Sequence, residues 1–351
     1  MKRVLCLVLA LICVLSMTCC GKSDEAPATN TTAADTQPTT QPTTPTTQPA
    51  TPETEPATPE IQPTTPTEPA TTPAEPPVKP AKPVNKDAWK DDGVLKILTI
   101  GNSFSTDCMQ YVYDVAEAAG VKNIKLGNLY ISGCSLNKHL TNLKEDKADY
   151  TYYTNDDGAW TSEKNYKLAD AVKAENWDFI SFQQSSSRSG IEKYYSDIQT
   201  IVPMVEALCT NENVEFIWHM TWAYKQDTTN SSFSSYNNDQ MTMYNMIIGA
   251  VQQHIVPYEK ITRIVPNGTA IQNARTSYVG DELTRDGYHL SKQEGRLIAA
   301  VAMVATSIGI DYDTIDLTGI YDDEKFDKMA LESVKNALEK PFEVTKSQYT
   351  K

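Results

Sequence analysis

Past position 93, hydrophobic residues alternate between short continuous runs and stripes at helical spacing. Residues 94–100 are rich in β-branched side chains and Leu and stop at Gly101, the pattern of a buried strand. Residues 106–119 place Met109, Val112, Tyr113 and Ala116 on one stripe ahead of Gly120, which predicts a helix with a glycine stop. A strand is predicted over 124–131, then Ser132-Gly133, a short helix over 136–143, a Tyr-rich insertion over 150–160 and a helix over 166–174. Three further strands are predicted over 178–184, 214–220 and 261–265, separated by helices over 193–208 and 239–255. The last long helix, 292–308, turns Leu297, Val301, Val304 and Ile308 inward, and 323–339 reads as a peripheral amphipathic helix. Strands alternating with helices predict an α/β fold whose parallel sheet is covered on both faces. Ligands of such sheets gather beyond the carboxyl ends of the strands, so the residues just after each strand are where chemistry is expected.

The first quarter of the chain lacks this pattern. All 30 aromatic residues lie after position 88, and 16 of the 20 prolines fall between Pro27 and Pro83. Such a stretch has no large side chains whose burial offsets the entropy of ordering it. Thr-Pro repeats such as Thr39-Thr40-Gln41-Pro42 favour polyproline II, and at about 3.1 Å per residue the stretch reaches at most about 180 Å. Residues 21–88 are therefore expected to be a disordered Thr/Pro-rich linker. Residues 89–351 form one domain with a single sizeable core. At the start, Lys2-Arg3, an apolar run over 4–15 and the small residues before Gly21 have the layout of an export signal, expected over 1–20. Met17-Thr18-Cys19-Cys20 resembles a bacterial lipobox. That likeness implies a lipid on Cys20, with Cys19 as the alternative, and a domain anchored to the membrane and displayed outside the cell.

The formal charge of -14 excludes a general affinity for nucleic acid or for an acidic membrane surface, both of which need clustered Lys and Arg. Of seven cysteines, Cys108, Cys134 and Cys209 remain in the domain, an odd number that makes no disulfide framework. Neither a CxxC pair nor an HExxH stretch occurs, so no metal site is expected. No cofactor is expected either.

Reading off the strand ends yields Gly101-Asn102-Ser103 after the first strand, Gly133 after the second, Gln183-Gln184 at the third, and Asp286-Gly287-Tyr288-His289 before the final long helix. These supply a hydroxyl, a backbone amide, a side-chain amide and an acid-histidine pair. A serine nucleophile needs a base to take its proton and an acid to fix the base's tautomer. Asp286 and His289 are three apart, so one loop can present both, with one imidazole nitrogen on the carboxylate and the other facing Ser103. Ser103 by itself also reads as a cap of the helix that follows. Trp222 and Tyr224 follow a strand end, where aromatic faces can either stack on a sugar or pack against the insertion. His219 reads as a buried histidine lining the site, His139 and His254 as surface residues, and Cys134 as a small packing residue.

Ile97-Leu98-Thr99-Ile100-Gly101-Asn102-Ser103-Phe104-Ser105, Gly133 and Asp286-Gly287-Tyr288-His289-Leu290-Ser291 together resemble the nucleophile, glycine and acid-base blocks of the SGNH (GDSL-type) hydrolases. Phe182-Gln183-Gln184-Ser185 and His219-Met220-Thr221-Trp222-Ala223-Tyr224 are similar to an exported bacterial branch of that superfamily. The resemblance implies a three-layer α/β/α sandwich with a flavodoxin-like sheet. It also implies a serine esterase with Ser103 as nucleophile, His289 as base and Asp286 as its orienting acid. The backbone amides of Ser103 and Gly133 would hold the oxyanion. Asn102 stands where the family usually has Asp, and the G-x-N-D block is missing, so Gln184 or Gln183 would supply the third donor, with Gln184 favoured. The implied partner is an acylated carbohydrate or small ester, an O-acetyl group above all. The alternatives are a non-catalytic glycan-binding module and a lipase or thioesterase.

Overall fold

The computed structural model describes residues 92–350. The expected signal segment at 1–20, with Cys19 and Cys20, and the linker at 21–88 lie outside the described residues. Within them, seven strands form one sheet: β1 (Leu95–Gly101), β2 (Ile124–Tyr130), β3 (Tyr150–Asn155), β4 (Thr161–Tyr166), β5 (Phe179–Phe182), β6 (Glu215–His219) and β7 (Ile261–Val265). Their order is β4-β3-β2-β1-β5-β6-β7. The run β2-β1-β5-β6-β7 is parallel throughout, which is the flavodoxin-like order expected from the sequence. β1 and β5 are buried along their whole length, as continuous apolar runs in a two-face sheet must be.

The helices are α1 (Ser103–Met109), α2 (Val112–Ala118), α3 (Leu136–Lys144), α4 (Leu168–Lys173), α5 (Ile198–Glu206), α6 (Gln240–His254), α7 (Asn267–Arg275), α8 (Glu294–Ile308) and α9 (Glu324–Glu339). α8 packs against α1, α2, α7 and α9, while α3 packs against α4 and α5. α8 is therefore buried almost all round, and the four residues expected to face inward are all in the core. α9 is the amphipathic helix expected, with Phe326, Met329, Ala330, Val334 and Ala337 buried.

Four local expectations change. The helix expected over 106–119 is two helices, and the first starts earlier, because the Asn102 side chain caps it by accepting the Phe104 N–H at 2.9 Å. The helix expected from 193 begins at Ile198, after a single 3-10 turn over Glu192–Tyr194. The Tyr-rich insertion is an antiparallel hairpin, β3 and β4, and only α4 remains of the helix expected over 166–174. β4 has no buried residue and hence no apolar alternation to read; its pairing with β3 defines it, and the charges of Glu163 and Lys164 blunt the open sheet edge. α7 was not expected at all. All nine of its residues are buried, so it has no polar face, and its polar side chains find partners such as the Ser333 and Ala223 carbonyls, which accept from Asn273 and Arg275.

Strand register positions the site. Ile100 pairs with Phe182, Phe182 with Trp218, and Trp218 with Ile264. The next residues in each strand, Gly101, Gln183, His219 and Val265, therefore form one row at the carboxyl edge of the sheet.

Candidate active site

The chain leaves β1 at Gly101 and turns through Asn102 into α1, which starts at Ser103. A Cβ on Gly101 would sit 2.5 Å from Ser105 Oγ and 2.7 Å from Gln183 Oε1, so glycine is what lets the turn pass beneath α1. Asn102 is buried and reaches three ways: Oδ1 accepts from Phe104 N at 2.9 Å and from Gln183 Nε2 at 3.0 Å, while Nδ2 donates to the Cys134 carbonyl at 2.9 Å. One side chain thus ties the Ser103 turn to the segment that holds Gly133.

Ser103 Oγ lies 2.8 Å from His289 Nε2, and His289 Nδ1 lies 2.7 Å from Asp286 Oδ2. An ionised carboxylate only accepts, so Nδ1 carries a proton and the Nε2 lone pair faces the serine hydroxyl. Asp286 Oδ1 also accepts the backbone N–H groups of His289 at 2.8 Å and Tyr288 at 3.3 Å. Burial raises the Asp286 carboxyl, but the hydrogen bonds from the His289 ring and from these backbone groups outweigh it and leave the group below its ordinary value. The carboxylate is held charged, as a partner for an imidazolium must be.

The loop over 285–290 is clamped from both sides. Buried Asp107, one turn beyond Ser103 on α1, accepts from Leu290 N at 2.9 Å, from Arg285 Nη1 at 2.9 Å and from Arg296 Nε at 2.8 Å. Gly287, at φ +87°, accepts from Lys225 N at 2.8 Å through its carbonyl oxygen and faces Thr228 so closely that a Cβ would lie 2.5 Å from Thr228 Oγ1. Trp222 Nε1 donates to the Tyr288 carbonyl at 2.8 Å, and its ring stacks on Phe104 at 4.3 Å.

Beneath the site runs a buried chain. Gln183 Oε1 meets His219 Nδ1 at 3.1 Å, and His219 Nε2 meets Asn267 Nδ2 at 2.9 Å. Since Gln183 donates to Asn102, its Oε1 is an acceptor, Nδ1 of His219 carries the proton, and Nε2 accepts from Asn267. Burial pushes the His219 pKa down to about 3, so the ring stays neutral and keeps this direction.

Residues 96–337 match the family model described as a domain of unknown function, DUF4886. The chain belongs to the DUF4886 family. A solved structure of a DUF4886 protein from Bacteroides uniformis is 35% identical, covers 72% of this chain and 98% of its own, and superposes with a TM-score of 0.69. The acetylxylan esterase Axe2 of Geobacillus stearothermophilus is 17% identical, covering 62% of this chain and 95% of its own at a TM-score of 0.41. No curated protein matches the chain.

In this DUF4886 domain the positions singled out from the sequence divide into those that meet and those that do not. Ser103, His289 and Asp286 come together. The backbone N–H groups of Ser103 and Gly133 have no hydrogen-bond partner among the described residues, and Gly133 is exposed at φ +59°. Neither glutamine amide is aimed at Ser103. Gln184 braces three backbone segments instead: Oε1 accepts from Leu136 N and Ser185 N, and Nε2 donates to the Tyr194 carbonyl at 2.8 Å. Gln183 is spent on Asn102 and His219. Trp222 and Tyr224 are 0% and 1% exposed, so neither offers a face for stacking on a sugar; Tyr288, half-buried and 4.2 Å from the His289 ring, is the aromatic beside the pair. Cys134 is buried, with its thiol pushed up to about 12, as a packing residue. His139 is buried rather than on the surface, stacked on Tyr150 and pushed down to about 3 by burial. His254 is half-buried against Tyr195. The sequence reading missed Asp107, Arg285 and Arg296, although a carboxylate among the apolar neighbours Phe104, Cys108 and Met109 is a signal that something cationic must reach it.

Proposed function

We propose that this protein is a serine ester hydrolase that removes O-acetyl or other small acyl groups from carbohydrate. The observation that carries the reading is the unbroken line Ser103 Oγ, His289 Nε2, His289 Nδ1, Asp286 Oδ2, with steps of 2.8 and 2.7 Å across the ring. Ser103 Oγ attacks the acyl carbonyl as Nε2 takes its proton, and the imidazolium then protonates the departing alkoxide. Water repeats the sequence on the acyl-serine, with its proton passing to His289 and then to Ser103 Oγ, and releases the acid. The unspent Ser103 and Gly133 amides are the donors for the tetrahedral oxyanion, without a glutamine side chain. The lipase alternative fits less well. Among the described residues the exposed large hydrophobics are Met241 and Met246, both on α6, and the polar 230–240 segment buries Phe233 and Tyr236 rather than presenting them as a lid.

The anchor and linker belong to the same proposal: a lipid on Cys20 holds the protein at the membrane, and residues 21–88 stand the domain off from it. The deciding experiment is turnover of p-nitrophenyl acetate by the wild type, Ser103→Ala and His289→Ala. Each variant should lose at least three orders of magnitude in rate with its circular dichroism and melting curve retained. A tenth of the activity left in either folded variant refutes the assignment, and a wild type inactive on every acetyl ester would favour the glycan-binding module.

A further inference from the structure

The described residues hold five arginines, and four pair with a carboxylate: Arg263 with Glu215, Arg275 with Asp281, and Arg285 and Arg296 with Asp107. Arg188 does not. Its guanidinium lies 4.6 Å from the centroid of the Tyr194 ring, and Lys193 Nζ lies 5.1 Å from the same centroid. Neither cation makes an ion pair or a side-chain hydrogen bond among the described residues, in a chain with 45 acidic residues against 31 basic ones. The ring attracts both cations through its face, yet it leaves the five N–H groups of the guanidinium and the three of the ammonium unspent. Two like charges held on one ring repel unless an anion comes between them.

The place matters as much as the charge. Arg188 ends the 3-10 turn Ser186–Arg188, which follows β5 after Gln183, Gln184 and Ser185. Ser186 Oγ lies 2.9 Å from Tyr224 OH, the Tyr224 ring 5.6 Å from Tyr288, and Tyr288 4.2 Å from His289. On the other side, Gln184 links the Tyr194 carbonyl to Leu136 N, in the segment that begins at Gly133. The backbone segments that carry Arg188 and Tyr194 are thus tied to the segments that hold the candidate site, and the two cations reach it through the Tyr194 ring alone. Lys193 lines a groove of about 670 Å³, together with Gly190, Ile191 and the carboxylate-bearing Glu192, against the α6 face of Thr242, Asn245, Met246 and Gly249. Arg188 stands outside that lining, so an anion held by the pair sits at the groove's Lys193 end.

We infer that Arg188 and Lys193 form a subsite for an anionic unit of the substrate, a carboxylate or phosphate on a glycan chain that runs on into the groove. This inference rests on the esterase reading and adds the class of substrate. On a protein of net charge -14, most of the surface repels an acidic chain, and two uncompensated cations on one ring are a place where it can dock.

The test compares kcat/KM on four acetyl esters with the full chain: p-nitrophenyl acetate, acetylated xylo-oligosaccharide, acetylated oligogalacturonate and an acetylated sugar phosphate. The wild type should favour one or both acidic glycans over the neutral one, by about tenfold for charge-assisted contacts at a half-exposed site, and 0.5 M salt should erase most of that ratio, as roughly a tenfold rise in ionic strength over 0.05 M shortens the screening length about threefold. Arg188→Gln and Lys193→Gln should each collapse the ratio through KM, with Arg188→Lys restoring part of it. Preference for the uronate or for the phosphate identifies the anion. No turnover of any ester sinks the esterase reading; turnover with an acidic-to-neutral ratio near one, or a ratio that survives Arg188→Gln or high salt, sinks this inference alone.

Discussion

Asp107→Asn probes the clamp that holds the acid-base loop to the helix carrying Ser103. Asp107 Oδ1 accepts from Arg285 Nη1, Arg296 Nε and Arg296 Nη2 at 2.9, 2.8 and 2.7 Å, and Oδ2 accepts from Leu290 N at 2.9 Å and again from Arg285 at 3.0 Å. A carboxamide has one acceptor oxygen, so its NH₂ must face either the guanidinium pair or the Leu290 N–H. Hydrogen bonds to charged groups contribute about 1.5–3 kcal/mol each, and breaking a buried pair costs about 3–5 kcal/mol. The side chains of Arg285 and Arg296 are 29% and 16% exposed and regain some water, which places the cost near the lower end, at about 3 kcal/mol. For a domain of this size that lowers the melting temperature by roughly 6–12 °C. Because Leu290 adjoins His289, the loop should also shift relative to Ser103, and a displacement of about 1 Å at a catalytic group costs about 10²-fold in rate. Urea unfolding and kcat on p-nitrophenyl acetate, both at 20 °C, read the two effects. An unchanged unfolding midpoint, or full kcat in a destabilised variant, would refute the coupling between clamp and site.

Asp286→Asn keeps the shape of the pair but presents either an amide donor or a weaker acceptor to His289 Nδ1, so kcat should fall by roughly 10²- to 10⁴-fold with little change in KM; equal rates would mean that another group orients the ring. His139→Phe tests the acid side of stability. The folded state holds His139 at about 3, whereas the unfolded chain titrates it near 6.5, so between those values the unfolded state binds the extra proton and stability falls as pH falls. Removing the histidine should flatten the slope of unfolding free energy against pH between 6 and 4 by about 1.4 kcal/mol per unit. An unaltered slope would show that His139 does not stay neutral.

Local chemistry was legible in this chain wherever one stretch of sequence contains the whole cause. The parallel strands are continuous apolar runs because both of their faces are covered, and Asp286 with His289 forms a unit because three residues separate them. The start of α1 is the exception: its cause is equally local, yet the pattern points to Ser103 as a cap and to a helix from 106, whereas Asn102 caps a helix that begins at Ser103. Features whose cause lies elsewhere in the chain were not legible. β4 is a strand only because β3 pairs with it, and α7 is a helix with no polar face because the carbonyls and side chains that satisfy it come from distant segments. The two glutamines show the same division. Alternation along β5 correctly implies that Gln183 and Gln184 diverge, but their partners are set by register, which brings Gly101, Gln183 and His219 level, and by packing, which brings Leu136 and Tyr194 to Gln184. The exposure of Trp222 was equally beyond the sequence, since a large ring at a strand end gains more from burial against Phe104, with its N–H satisfied by the Tyr288 carbonyl, than from standing in water. Sequence therefore determined which groups are present at the strand ends, and the tertiary structure decided which of them are free to act, because each buried polar group must first be satisfied by whatever the fold places beside it.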